Sequence, residues 1–144
     1  MKKPKVNIAK YAVLTILATG LGLLIWPTGG SRNAGVTVAV IVPNLSPLAT
    51  EGKKAFDSVC KACHGANAAG TNKGPPLVHD IYNPGHHADE AFFMAARLGS
   101  RQHHWPYGDM PPQLSVSQDQ VTAIVRYVRE LQQANGIETR PHEM

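Results

Sequence analysis

A chain of 144 residues with 43% hydrophobic and 17% charged side chains fits one folded domain plus an appendage, and it is not the composition of a disordered protein. The formal net charge of +4 comes entirely from Lys2, Lys3, Lys5 and Lys10; from Tyr11 onward ten basic residues face ten acidic ones, so nothing basic enough to grip a nucleic acid remains on the folded part and no nucleic-acid partner is expected. The two cysteines are separated by two residues, which excludes the multi-bridge framework of small secreted domains and points to redox, metal or haem chemistry.

After the lysines, Tyr11 to Trp26 carries no charge. These residues cover roughly 24 Å as a helix, against a hydrocarbon core of about 30 Å. With Ile8 joining and Lys10 reaching back to the interface, the length comes close to a span. A cleaved signal peptide has a similar start, but no small-x-small cleavage site follows, and Leu17-Ala18-Thr19-Gly20 is followed by Leu21 rather than the cysteine of a lipoprotein. Residues 1–26 therefore read as an uncleaved anchor, a single-pass N-terminal transmembrane helix ending at the interfacial Trp26. Either way the lysines stay on the cytoplasmic side and the rest is exported. The expected location is the bacterial inner membrane, with the folded domain in the periplasm.

Residues 27–45 are rich in Gly, Pro and Asn and read as a linker. Within it, Val36 to Val42 is rich in β-branched residues, and a strand lying on its own domain is the expected form. A folded domain follows over 46–138, and 139–144 are a tail. Ser46-Pro47 is an N-cap with proline at the first helical position. The helix it opens, with Leu48, Ala55, Phe56 and Val59 at helical spacing, runs into Cys60. Gly74-Pro75-Pro76-Leu77 is a non-helical loop. Asp89 to Leu98 forms a short helix ending at Gly99. Residues 102–114 hold three prolines and a glycine and form an extended loop. Ser117-Gln118-Asp119-Gln120 is a capping box. Behind it Val121, Ile124, Val125, Val128 and Leu131 make an apolar stripe closed by Asn135-Gly136. The fold class is all-α, three helices with more loop than is usual for a domain of this size. A buried porphyrin would fill such a centre.

Cys60-Lys61-Ala62-Cys63-His64 is the C-x-x-C-H haem-attachment pattern. Two thiols three positions apart at a helix end can each add to one vinyl group of a porphyrin, and the next imidazole then lies beneath the iron. A thioredoxin-like pair needs a βαβ setting that is absent here. A zinc site needs two further ligands, with no second cysteine pair to supply them. Covalent haem attachment takes place outside the cytoplasm, in agreement with the N-terminal export signal.

From about Leu48 to Ile137 the chain resembles the class I cytochromes c. The resemblance rests on Gly52 and Phe56 before Cys60-x-x-Cys63-His64, on Gly74-Pro75-x-Leu77, on Met110-Pro111, and on Tyr127 in a terminal helix. It implies an all-helical domain in which the first and last helices cross where Gly52 meets Tyr127. It also implies one covalently attached haem c, with His64 as an iron ligand and the Pro75 carbonyl accepting a hydrogen bond from its ring, which orients the imidazole and raises its basicity. Pro76 replaces the Asn common in that loop, and the His-rich insert after it is longer than in the family.

The sixth ligand is expected from Met110, in the loop Gly108-Asp109-Met110-Pro111-Pro112. Met94, among Phe92, Phe93, Ala95 and Ala96, reads as core packing. His79, His86, His87, His103 and His104 are rival ligands that would give a lower potential. The pairs His86-His87 and His103-His104 read as a polar, partly exposed loop, with copper binding as the sharper alternative. Trp105 and Tyr107 are candidates for the pocket wall, and Lys53, Lys54, Lys61 and Lys73 for a docking patch. Together these features predict a mono-haem electron-transfer protein rather than an enzyme, passing single electrons between membrane-bound donor and acceptor proteins. A haem subunit of a larger complex, and a sensor or enzyme with an open iron site, are the alternatives.

Overall fold

A computed structural model describes residues 35–140. The expected membrane span lies outside the described residues, and among those described no helix is long and apolar enough to cross a membrane. Among the described residues there are four α-helices and two 3-10 turns and no strand, only an isolated bridge between Ser100 and Met110.

Helix α1, Pro47–Val59, starts where Ser46-Pro47 predicts. The Ser46 hydroxyl accepts the Ala49 N–H at 3.2 Å, which satisfies one of the amide groups that a helix start leaves without a partner. Its buried residues, Ala49, Gly52 and Phe56, fall on one stripe. The chain turns at Cys60 and resumes as α2, Lys61–His64, closed by Gly65 at φ 77°. A 3-10 turn over Ala66–Ala68 follows, with Asn67 and Ala68 both in the left-handed region at φ 53° and 57°. This reversal aims the Ala68 carbonyl at the amide of Leu77, 2.8 Å away, and so ties the Pro75-Pro76 loop to the cysteine segment.

A second 3-10 turn, Asp80–Tyr82, leads to α3, Asp89–Leu98, which stops at Gly99 with φ 78°. The last helix, α4, is Gln118–Ala134. Its capping box is complete: Ser117 Oγ accepts the Gln120 N–H at 3.2 Å and Gln120 Oε1 accepts the Ser117 N–H at 2.9 Å.

The core lies where α1 crosses α4. Phe56, Tyr127, Val128 and Leu131 have no exposed surface, a burial that stabilises by about 1.5–3 kcal/mol for each large side chain. The crossing differs in one detail from the expected meeting of Gly52 with Tyr127. Gly52 faces the backbone of Ala123, where a Cβ would stand 1.9 Å from the carbonyl oxygen. Tyr127, one turn further along α4, packs edge-on against Phe56, with ring centroids 5.5 Å apart. The glycine admits a neighbouring backbone, and the aromatic pair fills the space beside it. The Tyr127 hydroxyl donates to Asn67 Oδ1 at 3.2 Å, joining the crossing to the turn after His64.

The stretch Val36 to Val42 lies on its own domain but is not a strand. It is extended, and its hydrogen bonds go to side chains and a loop rather than to a sheet edge. Val38 N–H donates to the Ala69 carbonyl at 2.9 Å, Ile41 N–H to Asn135 Oδ1 at 2.8 Å, and Val36 N–H to the Tyr107 hydroxyl at 2.6 Å. Val38 and Val40 pack on the core, while Ile41 points outward.

Arg129 organises the other side of α4. Its guanidinium donates to the carbonyls of Tyr82 and His87 at 2.8 and 2.6 Å, to Gln132 Oε1 at 2.7 Å and to Asp89 Oδ1 at 2.8 Å. It also lies 5.0 Å from the centre of the Phe92 ring. Gln132, itself buried, donates to the carbonyls of Leu77 and Tyr82. One planar cation and one amide thus hold the irregular segment before α3 against the last helix.

Candidate functional site

The end of α1 and the short α2 present Cys60, Cys63 and His64 along one edge of a cavity of about 430 Å³. Cys60, His64, Pro75 and Met110 all line it, while Cys63 is exposed beside it. The two cysteines are not joined to each other by a disulfide. Gly74 passes so close to Cys63 that a Cβ would be 3.0 Å from its carbonyl oxygen, and the Thr71 hydroxyl donates to the same oxygen at 2.5 Å. The loop carrying Pro75 is thereby fixed relative to the cysteines.

His64 Nδ1 lies 2.9 Å from the Pro75 carbonyl. That geometry puts the proton on Nδ1 and leaves the Nε2 lone pair for a ligand. Burial lowers the pKa of His64, opposed by the Pro75 bond, so the imidazole is held neutral, the form that binds a metal. Burial and the neighbouring Cys63 push the Cys60 thiol up to about 11. A thiol-disulfide catalyst needs the opposite shift, towards thiolate. Cys60 is therefore not primed as an attacking thiolate.

On the wall of the same cavity, Met110 is pinned through its backbone. Its N–H donates to the Ser100 carbonyl at 2.8 Å and its own carbonyl accepts the Ser100 N–H at 3.0 Å. Gly99, with positive φ, lets this bridge form: a Cβ there would meet the Met110 carbonyl at 2.5 Å. Asp109 Oδ1 accepts the Gln102 N–H and Gln102 Oε1 accepts the Gly108 N–H, at 2.9 and 2.7 Å, closing the loop. The bridge from the end of α3 to Met110 has no local sequence signal beyond Gly99, which reads equally as a helix stop.

Met94 is not core packing. It is 54% exposed and stands on the cavity wall with Ala91 and Ala95, because this face of α3 turns to the cavity rather than to another helix. Trp105 and Tyr107 line the same cavity. Trp105 Nε1 is buried without a well-aligned hydrogen-bond partner, although the Tyr82 hydroxyl is near enough to interact with it. Burial pushes that Tyr82 hydroxyl up to about 12.

The fit to a porphyrin rests on these walls. The volume lies in the range of roughly 300–1,000 Å³ typical of cofactor pockets. Phe56, Leu77 and Ile124 supply apolar surface and Cys60 lines the wall, Cys63 follows three residues on, and α3 has an amphipathic pattern yet buries no residue fully. A flat apolar group seated in the cavity would cover that helix face.

A family model for cytochrome c matches residues 49–132, from the first turn of α1 nearly to the end of α4. The chain belongs to the cytochrome c family. No curated protein and no solved structure matches it. Cytochromes c carry a covalently attached haem c with iron and serve as electron carriers, and Cys60 and Cys63 of this cytochrome are spaced for that attachment.

Proposed function

We propose that this cytochrome carries single electrons between membrane-associated redox partners, with its iron held between His64 and Met110. The observation that supports this most is that Met110 lines the same cavity as Cys60, His64 and Pro75, on a loop whose backbone is tied down on both sides of the sulfur. Bound haem supplies a reversible one-electron change at iron. Cys60 and Cys63 hold the group by thioether links, Pro75 sets the orientation of the His64 ring, and the apolar wall excludes water. His64 and Met110 would both be taken up as iron ligands, which would leave no position for substrate and restrict the protein to electron transfer. A thioether ligand also raises the potential relative to a second imidazole.

Residues 1–26 tether the domain to the bacterial inner membrane, and because Val38, Val40 and Leu45 pack on the domain core, the linker that lets it reach its partners from the periplasmic side is shorter than residues 27–45. A short tether keeps the domain at high effective concentration near membrane-bound donors and acceptors. Lys53 pairs with Asp57, and Lys54 with Glu51 at 2.8 Å, so two of the four lysines of the candidate docking patch are already compensated, and steering by a strong positive field is not part of this reading.

The ligand assignment is tested by substitution. Met110→Leu abolishes the weak red charge-transfer band of Met-ligated ferric haem, and Met94→Leu leaves it in place. Survival of the band in Met110→Leu, or its loss in Met94→Leu alone, overturns the assignment.

A further inference from the structure

Two histidine pairs far apart in sequence meet at the mouth of the haem cavity. His86 and His87 follow the turn at Pro84-Gly85, and His103 and His104 stand in the loop after α3. One ring nitrogen from each of His86, His87 and His104 lies within 4.8 Å of the others. Nε2 of His86 and Nε2 of His104 are 3.2 Å apart. Two imidazole nitrogens bonded at about 2.0–2.1 Å to one ion sit roughly 2.9–3.4 Å apart for bond angles between square and tetrahedral. Two of the three donors already have that spacing.

The third donor is prepared by its surroundings. His87 Nδ1 lies 2.7 Å from the Ile81 carbonyl, so its proton sits on Nδ1 and Nε2 keeps a lone pair. The His87 backbone is held as well: its carbonyl accepts from Arg129 at 2.6 Å and its N–H donates to the Asn83 carbonyl at 2.9 Å. His86 N–H is bonded to Asn83 Oδ1 at 3.2 Å. His104 is exposed, and its donor nitrogen already lies within 4.8 Å of those of His86 and His87. His103 stacks against His87, with centroids 5.8 Å apart.

We propose that His86, His87 and His104 bind a divalent late transition-metal ion, copper(II) more tightly than zinc(II). Three neutral imidazoles without a carboxylate or thiolate suit these ions, and the Irving–Williams order places copper above zinc. His87 and His104 also line the haem cavity, so the ion sits at its rim. The geometry requires no assumption about the iron ligands.

The test uses the full-length ferric haem protein, titrated with copper(II) chloride by calorimetry and followed by electron paramagnetic resonance. One equivalent binds at micromolar affinity, and the copper signal shows superhyperfine splitting from nitrogen. The variant His104→Gln and the double variant His86→Ala/His104→Ala each lose at least about tenfold in affinity, with unchanged far-ultraviolet circular dichroism to report an intact fold. Zinc(II) chloride competes only at higher concentration. The proposal is overturned by wild-type binding weaker than about 100 μM, by absence of nitrogen splitting, or by variants that bind copper as the parent does.

Discussion

At Gly52 the absence of one carbon decides whether the two long helices can cross. The Ala123 carbonyl stands where a Cβ would be, at 1.9 Å. Its oxygen belongs to a helix backbone, which cannot yield as a flexible side chain does. Gly52→Ala therefore costs about 2–3 kcal/mol or more by overpacking, outweighing the roughly 0.5–1 kcal/mol that alanine gains over glycine within a helix. Denaturant unfolding of the haem-loaded protein checks this: the midpoint falls with the slope nearly unchanged, and an unchanged or raised midpoint contradicts the crossing. The sequence pattern marks Gly52 as special through its place one turn before Phe56. It does not reveal that the glycine meets Ala123 rather than Tyr127, because the register between two helices depends on packing across many residues.

Among the elements, the helices were legible because their signals are local. Ser46-Pro47, the Ser117–Gln120 box and Gly99 each act within one turn, and α1, α3 and α4 begin or end at those residues. What joins the elements was not legible. Nothing in the sequence pattern singles out Arg129, yet it is a polar tie between α4 and the segment from Tyr82 to Phe92. Val36 to Val42 has strand composition without a strand, because no neighbouring edge offers it a ladder. Met94 follows an apolar pattern whose partner is a cavity. Arg129→Ala removes the donor from two backbone carbonyls and costs about 2–3 kcal/mol. Its distinguishing mark is regional: amides of residues 81–98 exchange faster while those of α1 keep their protection relative to global stability. Uniform loss across both regions contradicts the role assigned to Arg129.

For the whole molecule, the attachment motif was legible because covalent haem binding requires five consecutive residues, and Cys60 to His64 supply them. The rest of the site is assembled from distant segments. Pro75 reaches His64 through the left-handed turn at Asn67 and Ala68, Met110 is fixed by Ser100, and the histidine pairs converge across eighteen residues between His86 and His104. The resemblance nominates the first two in advance, and the two histidine pairs stand out as a copper-binding alternative, but no local pattern shows that His86, His87 and His104 converge. All of these arrangements surround one cavity, and the account depends on what that cavity holds. The most direct measurement is a pyridine haemochrome assay on the mature protein, made before and after extraction with acidified acetone. One haem c per chain, with the colour remaining on the protein after extraction, is the predicted result. A colourless protein after proper maturation, or pigment that moves into the acetone, contradicts it.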